Sequence, residues 1–449
     1  MSEMLGSVEG ILPFAERIGA DEVELFVASG KSFEIEIRLG QIVSSHNSID
    51  SGVGIRVIVD KAVGFGFCNS LDKRKLEETT ERAVKIAKSS KPDDNWSELP
   101  HPSSFPVVRG VYDKRVTELS VEDVVEIADR MLLAAEDYDK RVMPYWGGVG
   151  LGYAAHGIIN SHGVEGYERG TVIGCMMGTV AREGDRVSPE CSETDHKRSL
   201  NIDPERVGRE AARLAVDSLR PKKAETGSYT VILAQDALAS LLGYTFVQAI
   251  SGDNVIRDKS AYKGRIGALV ASETLTVEDD GTLEGGLNTS TFDAEGTPTR
   301  RTLIIENGVL KNYIFDNYFG RLAGVESTGN AKRKGYATTP SISPTNLSIK
   351  EGRKDPEDMI SEIDHGFFIR DVQGAHSSNP ESGEVSVVAT PCWKIEKGEI
   401  TDPIKGAMLA GNIYEMLKNV RSIGNNVRQL SYLVAPWISF SDVRIVSET

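Results

Sequence analysis

The sequence predicts an α+β protein with an amino-terminal antiparallel meander flanked by helices, a middle α/β segment, and a carboxy-terminal extended antiparallel sheet or barrel-like domain. Three observations lead there. Apolar spacing switches from helical to alternating after Gly19; prolines at 92, 100, 102 and 106 interrupt the chain; and turn-punctuated strand text dominates after Ser251-Gly252. At roughly 150 residues per domain, 449 residues divide into about three. The breaks predict domains at 1–112, 113–222 and 223–449.

Residues 7–18 have helical spacing and stop at Gly19. The alternating triplets Val23/Leu25/Val27, Phe33/Ile35/Ile37 and Ile55/Val57/Val59 predict a meander, with turns at Ser29-Gly30, Leu39-Gly40 and Ser51-Gly52. Ser70 is the expected cap of a helix reaching about Lys88. The proline-rich stretch 92–118 predicts an extended connector. Ser120 with Asp123 then offers a capping arrangement for a helix whose Val124, Ala128, Met131 and Ala135 share a face.

Glycine-rich strands follow, with turns expected at Asn160-Gly163 and Tyr167-Gly170, and Asp203-Pro204 starts another helix. Pro221-Lys222-Lys223 marks a boundary. Beyond it come a strand at 229–233, a helix capped by Asp236, and strand text up to a helix at 413–420.

Net charge is −15, so long-range electrostatics repel nucleic acid and anionic membranes. The longest apolar runs are far below the roughly 20 residues that span a bilayer. No basic-then-apolar leader opens the chain, and the four cysteines form no C-x-x-C pair, which together point to the cytoplasm and reduced thiols.

Zinc chemistry needs three or four His, Cys or carboxylate donors converging. His156 with His162, or Cys191 with His196, offers two donors each, so surface or turn roles are expected for them and no metal or other cofactor is predicted. The loop His376-Ser377-Ser378-Asn379-Pro380-Glu381-Ser382-Gly383 is the most polar in the third domain. On an extended segment His376 and Ser377 face opposite ways and cannot make a nucleophile–base pair; the loop reads as a peptide contact through His376, Ser377, Asn379 and Ser382, or as a structural turn. In Ser327–Arg333, Asn330 and Arg333 either dock an anion such as a peptide carboxylate or stabilise a loop. Asn412 reads as a turn and helix cap. Arg300-Arg301 among acidic residues reads as a solvated network. Gly64-Phe65-Gly66 and Gly147-Gly148-Val149-Gly150 lack the βαβ context of a dinucleotide loop.

Two long segments, TRRTLIIENGVLKNYIFDNYFGRLAGVESTGNAKR at 299–333 and GAHSSNPESGEVSVVATPCWKIEKGEITDPIKGAMLAGN at 374–412, resemble the carboxy-terminal module of the TldD/TldE (PmbA) peptidase-like proteins. The amino-terminal GADEVELFVASGKSFEIEIRLGQI and the central NSHGVEGYERG extend the likeness over nearly the whole chain. Catalytic members of that family carry a His-Glu-x-x-x-His helix that binds zinc, plus a cysteine ligand near the carboxy terminus. Anchored on Ser251-Gly252, the corresponding positions fall on Gly243, Tyr244 and Gln248. No histidine here is followed by glutamate, none lies between His196 and His365, and no cysteine follows Cys392.

The resemblance therefore implies a TldE/PmbA-type member without the zinc site, inactive alone. It implies pairing with a TldD-like zinc metalloprotease subunit as a heterodimer, or a homodimer in isolation, and peptide substrates that are unfolded or short. Microcin maturation and antitoxin turnover are the implied roles. It places Asn412 near an interior cleft, leaving a secondary contact role open beside the cap. Two alternatives compete. One is a regulatory binding protein of the DNA gyrase modulator type, acting through protein partners without binding nucleic acid directly; the other is a self-sufficient hydrolase using His376.

Overall fold

A computed structural model describes residues 3–447. Helices α1 (Glu3–Gly6) and α2 (Ile11–Arg17) lead into a wholly antiparallel sheet. Its strands are β1 (Glu22–Arg38), β2 (Gln41–Val59), β3 (Ala62–Cys68), β4 (Val142–Asn160), β5 (Glu165–Glu183), β6 (Arg186–Val187) and β7 (Cys191–Lys197). They run in the order β3-β2-β1-β4-β5-β6, with β7 also paired to β5. The amino-terminal meander and the middle segment thus share one continuous sheet, joined where β1 pairs with β4 from Glu24↔Asn160 to Arg38↔Trp146.

Only one of the three expected turns in the meander exists. Leu39 and Gly40 adopt positive φ and connect β1 to β2, whereas Ser29-Gly30 and Ser51-Gly52 lie within the strands, with Ser29 opposite Ser51. The glycine at 54 serves close approach across the sheet: a side chain there would lie 2.3 Å from the Tyr336 carbonyl. Tyr167–Gly170 is likewise strand, held in the β4–β5 ladder with His156 opposite Glu168, while Asn160–Gly163 makes the hairpin turn.

Side chains alternate across β1, so its two faces meet different partners. Val23, Leu25 and Val27 pack under α3 (Lys73–Ser89), through Leu76, Ala83 and Ala87. Ile35 and Ile37, on the same face, meet α5 (Val121–Glu136) and α6 (Pro204–Asp217) through Met131 and Ala211; the short α4 (Lys114–Glu118) precedes α5. Phe26 points the other way, against Phe292 and Ala331 of the carboxy-terminal module. Asp72, not Ser70, caps α3; the Ser120–Asp123 capping box and the Asp203 cap form as expected.

The carboxy-terminal module builds its core between a ten-stranded and a six-stranded sheet. Both are mixed, not purely antiparallel: Gly227–Leu233 runs parallel to His365–Ile369, and Leu347–Ile349 parallel to Leu433–Ala435. Lys222-Lys223, read as a boundary, pairs with Glu399–Lys405 in the larger sheet. Helices α7 (Gln235–Tyr244) and α8 (Phe246–Ile250) bury Leu238, Leu241 and Phe246 in this core. Asp236 does not cap α7, which is preceded by Ala234; its carboxylate pairs with Arg370. Among the described residues no helix is long and apolar enough to cross a membrane.

Candidate functional site

Helices α7 and α8 are broken at Thr245, whose buried hydroxyl donates to the Leu241 carbonyl at 2.6 Å. Around the break, each of the three positions that the sequence reading set against the zinc motif has a distinct fate. A side chain at Gly243 would sit 2.9 Å from the Tyr432 hydroxyl, which itself donates to the Ala239 carbonyl. The Gln248 side-chain and main-chain oxygens both accept from Asn254 Nδ2, at 3.2 and 3.0 Å. Tyr244 is 51% exposed, with its ring centroid 6.4 Å from that of His376.

The loop carrying His376 closes over this break. It is not extended there: Ala375–Ser377 is a single 3-10 turn entered through Gly374 in left-handed conformation, and the Ser377 hydroxyl donates to the Gly374 carbonyl. Asn379 Oδ1 accepts from the Glu381 and Ser382 amides, and Asn412 Nδ2 donates to the Ser382 carbonyl at 2.7 Å. Asn412 Oδ1 meanwhile caps the helix Ile413–Lys418 through the Tyr414 and Glu415 amides. The Tyr414 hydroxyl donates to the Pro380 carbonyl at 2.5 Å and reaches the Thr245 carbonyl at 3.5 Å. Asn379, Ser382 and Asn412 therefore form one structural knot, and Tyr244 and His376 are the side chains it presents at the surface.

Asn330 and Arg333 lie elsewhere, at a cleft of about 590 Å³ between the Phe26 face of the amino-terminal sheet and the carboxy-terminal loops. Both are committed internally. Asn330 Nδ2 donates to Asp279 Oδ2 at 2.7 Å and to the Ser343 carbonyl, while its Oδ1 accepts from Thr328. Arg333 pairs with Glu24, donates to the Ala294 and Thr338 carbonyls, and stacks 5.0 Å over the Phe26 ring.

Of the other cations lining the cleft, Lys332 and Arg198 make no salt bridge among the described residues. Lys332 Nζ donates to Asn288 Oδ1 at 2.7 Å, and the Arg198 guanidinium donates to the Thr289, Gly286 and Thr171 carbonyls. Partial desolvation pushes both pKa values down, while Lys332 stays exposed to solvent. Beside them His156, its pKa lowered by burial, lies 3.5 Å from Glu168, whose carboxylate accepts from Ser290 and Thr291. The arrangement suits a ligand with one anionic end and an apolar body against Phe26 and Phe292. Sequence reasoning missed Arg198, which carries no motif, and also the His156–Glu168 pair, because Tyr167–Gly170 was read as a turn and not as strand opposite His156.

The paired histidines and cysteine-histidine do not converge on a metal. His156 faces Glu168 and His162 faces Glu22, while the buried Cys191 thiol is pushed up to about 11 and approaches Ser218. Among the described residues, the three-donor group close enough for an ion is Glu98, His101 and His162, which shares no residue with the α7–α8 break or the cleft.

Family models match in three blocks: PmbA/TldA metallopeptidase domain 1 at residues 23–87, the central domain at 114–219 and the C-terminal domain at 226–447. An uncharacterised Methanocaldococcus jannaschii protein is 36% identical over 437 residues, covering 96% of this chain and 98% of that one. The chain belongs to the PmbA/TldD family. Within it, the metalloprotease PmbA of Escherichia coli O157:H7 is 26% identical over 447 residues, covering 96% of this chain and 93% of that protein. The crystal structure of TldE from Thermococcus kodakarensis matches with a TM-score of 0.93 at 30% identity, over 98% of this PmbA/TldD chain and 100% of that one.

Proposed function

We propose that this chain is the TldE/PmbA-type subunit of a TldD/TldE-type peptidase acting on unfolded or short peptides. It lacks the zinc site and depends on a zinc-bearing, TldD-like partner. The observation that carries this reading is the α7–α8 break, where the motif positions hold a glycine whose side-chain space tyrosine fills, an exposed tyrosine and an internally bonded glutamine. None of these is a ligand–base–ligand set, since zinc requires imidazole, thiolate or carboxylate donors and a general base must accept a proton near neutral pH. The likeness to TldE over the full chain supports the same assignment. The net charge of −15 disfavours any role exerted through DNA.

In the assembly, this subunit supplies walls and peptide contacts: Tyr244 with His376 at the loop, and the Lys332–Arg198 cleft for an anionic peptide end. The test is to mix the chain with a TldD-like relative, measure the mass of the assembly, and assay cleavage of denatured peptides with each component omitted. Joint activity from a mixed assembly is expected. Cleavage by this chain alone, sensitive to chelator and lost on substitution of Tyr244 or Gln248, would overturn the assignment.

A further inference from the structure

We propose that Glu98, His101 and His162 bind one divalent transition-metal ion, zinc by donor chemistry, with Glu22 beside His162. This inference is independent of the peptidase assignment, because it uses none of the residues at the α7–α8 break.

The residues come from three separate parts of the chain. Glu98 and His101 sit on the proline-rich connector, His162 in the β4–β5 turn and Glu22 at the start of β1. Asn160 brings the first two together. Its Nδ2 donates to the Pro100 carbonyl at 2.8 Å, while its Oδ1 accepts from the His162 and Val164 amides, so one side chain pins connector to turn. The His101 and His162 rings consequently lie 4.5 Å apart, centroid to centroid.

Each imidazole directs a nitrogen at a carboxylate: His101 Nε2 is 3.1 Å from Glu98 Oε2, and His162 Nε2 is 3.3 Å from Glu22 Oε2. One donor atom from each of Glu98, His101 and His162 falls within 4.8 Å of the others. Tetrahedral zinc with bonds of about 2.0–2.2 Å places its donors roughly 3.3–3.5 Å apart. The remaining contraction falls mainly on His101, whose side chain is 59% exposed. Two imidazoles with carboxylates suit zinc and its neighbours, whereas magnesium and calcium favour all-oxygen sets.

The carboxylates are already oriented. Arg321 holds Glu98 by Oε1 at 3.0 Å, leaving Oε2 toward His101, and Glu22 accepts from Trp96 Nε1 and the Leu99 amide. Such outer contacts are what metal sites use to fix their ligands. The bound ion would clamp the connector across the edge where β1, the β4–β5 turn and the helix Asn317–Leu322 meet.

The test uses the tag-free full chain, stripped with chelator and titrated with zinc chloride by calorimetry, and with cobalt(II) followed by its visible absorption. Binding at one ion per chain, intense tetrahedral cobalt bands and a zinc-dependent rise in Tm are expected. His101→Ala and His162→Gln should each weaken binding by about tenfold or more. His101 is exposed, so His101→Ala decides the matter if the other variant fails to fold. Absence of stoichiometric uptake, or uptake unchanged by His101→Ala, would overturn the proposal; the second result would put the ion elsewhere. Neither readout involves peptide cleavage, so its outcome is separate from that of the subunit assignment.

Discussion

Glu24 on β1 and Arg333 in the carboxy-terminal module form an ion pair across the junction of the two halves, with side chains 0% and 1% exposed. Arg56 binds the other Glu24 oxygen at 2.5 Å and also meets Glu295 at 3.0 Å, so two carboxylates and two guanidinium groups form one buried, formally neutral cluster. Removing one member of a buried pair leaves an uncompensated charge, which costs about 3–5 kcal/mol. Arg333→Met should therefore lower stability to denaturant by that order. Glu24→Gln combined with Arg333→Met should recover part of the loss, and purely additive effects of the two changes would contradict the coupling.

Asp316 gives this junction a pH dependence. It caps the helix Asn317–Leu322 by accepting from the Phe319 amide, and burial next to Glu295 raises its pKa to about 7. In the unfolded chain the group titrates near 3.9. Between those values the folded state binds a proton that the unfolded state does not, so stability rises as pH falls through 7 and is lost as pH rises. About three pKa units correspond to at most ~4 kcal/mol, shared with the neighbouring acids. Asp316→Asn keeps a capping oxygen and removes the titration. Its stability relative to the natural protein should increase from pH 4 to pH 8, measured by urea unfolding at each pH; a constant difference would refute the shift.

Asn412 and His376 separate structure from contact in the same loop. Asn412→Ala removes a helix cap and the bond to the Ser382 carbonyl, an expected loss of about 1–3 kcal/mol. His376→Ala touches an exposed ring and should change stability by under about 0.5 kcal/mol while weakening peptide binding by the mixed assembly. Equal destabilisation by both substitutions, measured in urea, would assign His376 to the knot instead.

These residues also show where sequence was informative. Capping signals are local, so Ser120–Asp123, Asp203 and Asn412 were legible, and the family blocks located the His376 loop, while Ser251-Gly252 served as the anchor for the helix before it. The meander's extra turns were misread because Gly30 and Gly52 look like turn residues in isolation. Gly52 and the nearby Gly54 instead accommodate Tyr336, almost 300 positions later, and no local pattern encodes that. The same limit explains Arg333. Adjacent Lys332 and Arg333 look alike in sequence, yet only the fold decides that Arg333 is consumed by Glu24 and Lys332 is not. His101 had no visible role until the connector was tied to the β4–β5 turn.

Lys332 carries the last prediction. Its ammonium lies at the cleft with an amide oxygen as its hydrogen-bond partner and, among the described residues, no salt bridge, beside Arg198, which likewise makes none. A peptide's carboxy-terminal carboxylate placed there gains a charge-assisted hydrogen bond, worth about 1.5–3 kcal/mol, that a carboxy-terminal amide cannot match. The assembly should therefore bind a free-acid peptide about tenfold or more tighter than its amidated form. Lys332→Met should largely remove that preference while leaving amide binding nearly unchanged, because the substitution keeps the apolar stem against the cleft wall. Fluorescence anisotropy with the acid and amide forms of one labelled peptide reads both effects. Indifference of the natural protein to the terminal charge would show that the cleft's cations serve the fold and not the ligand.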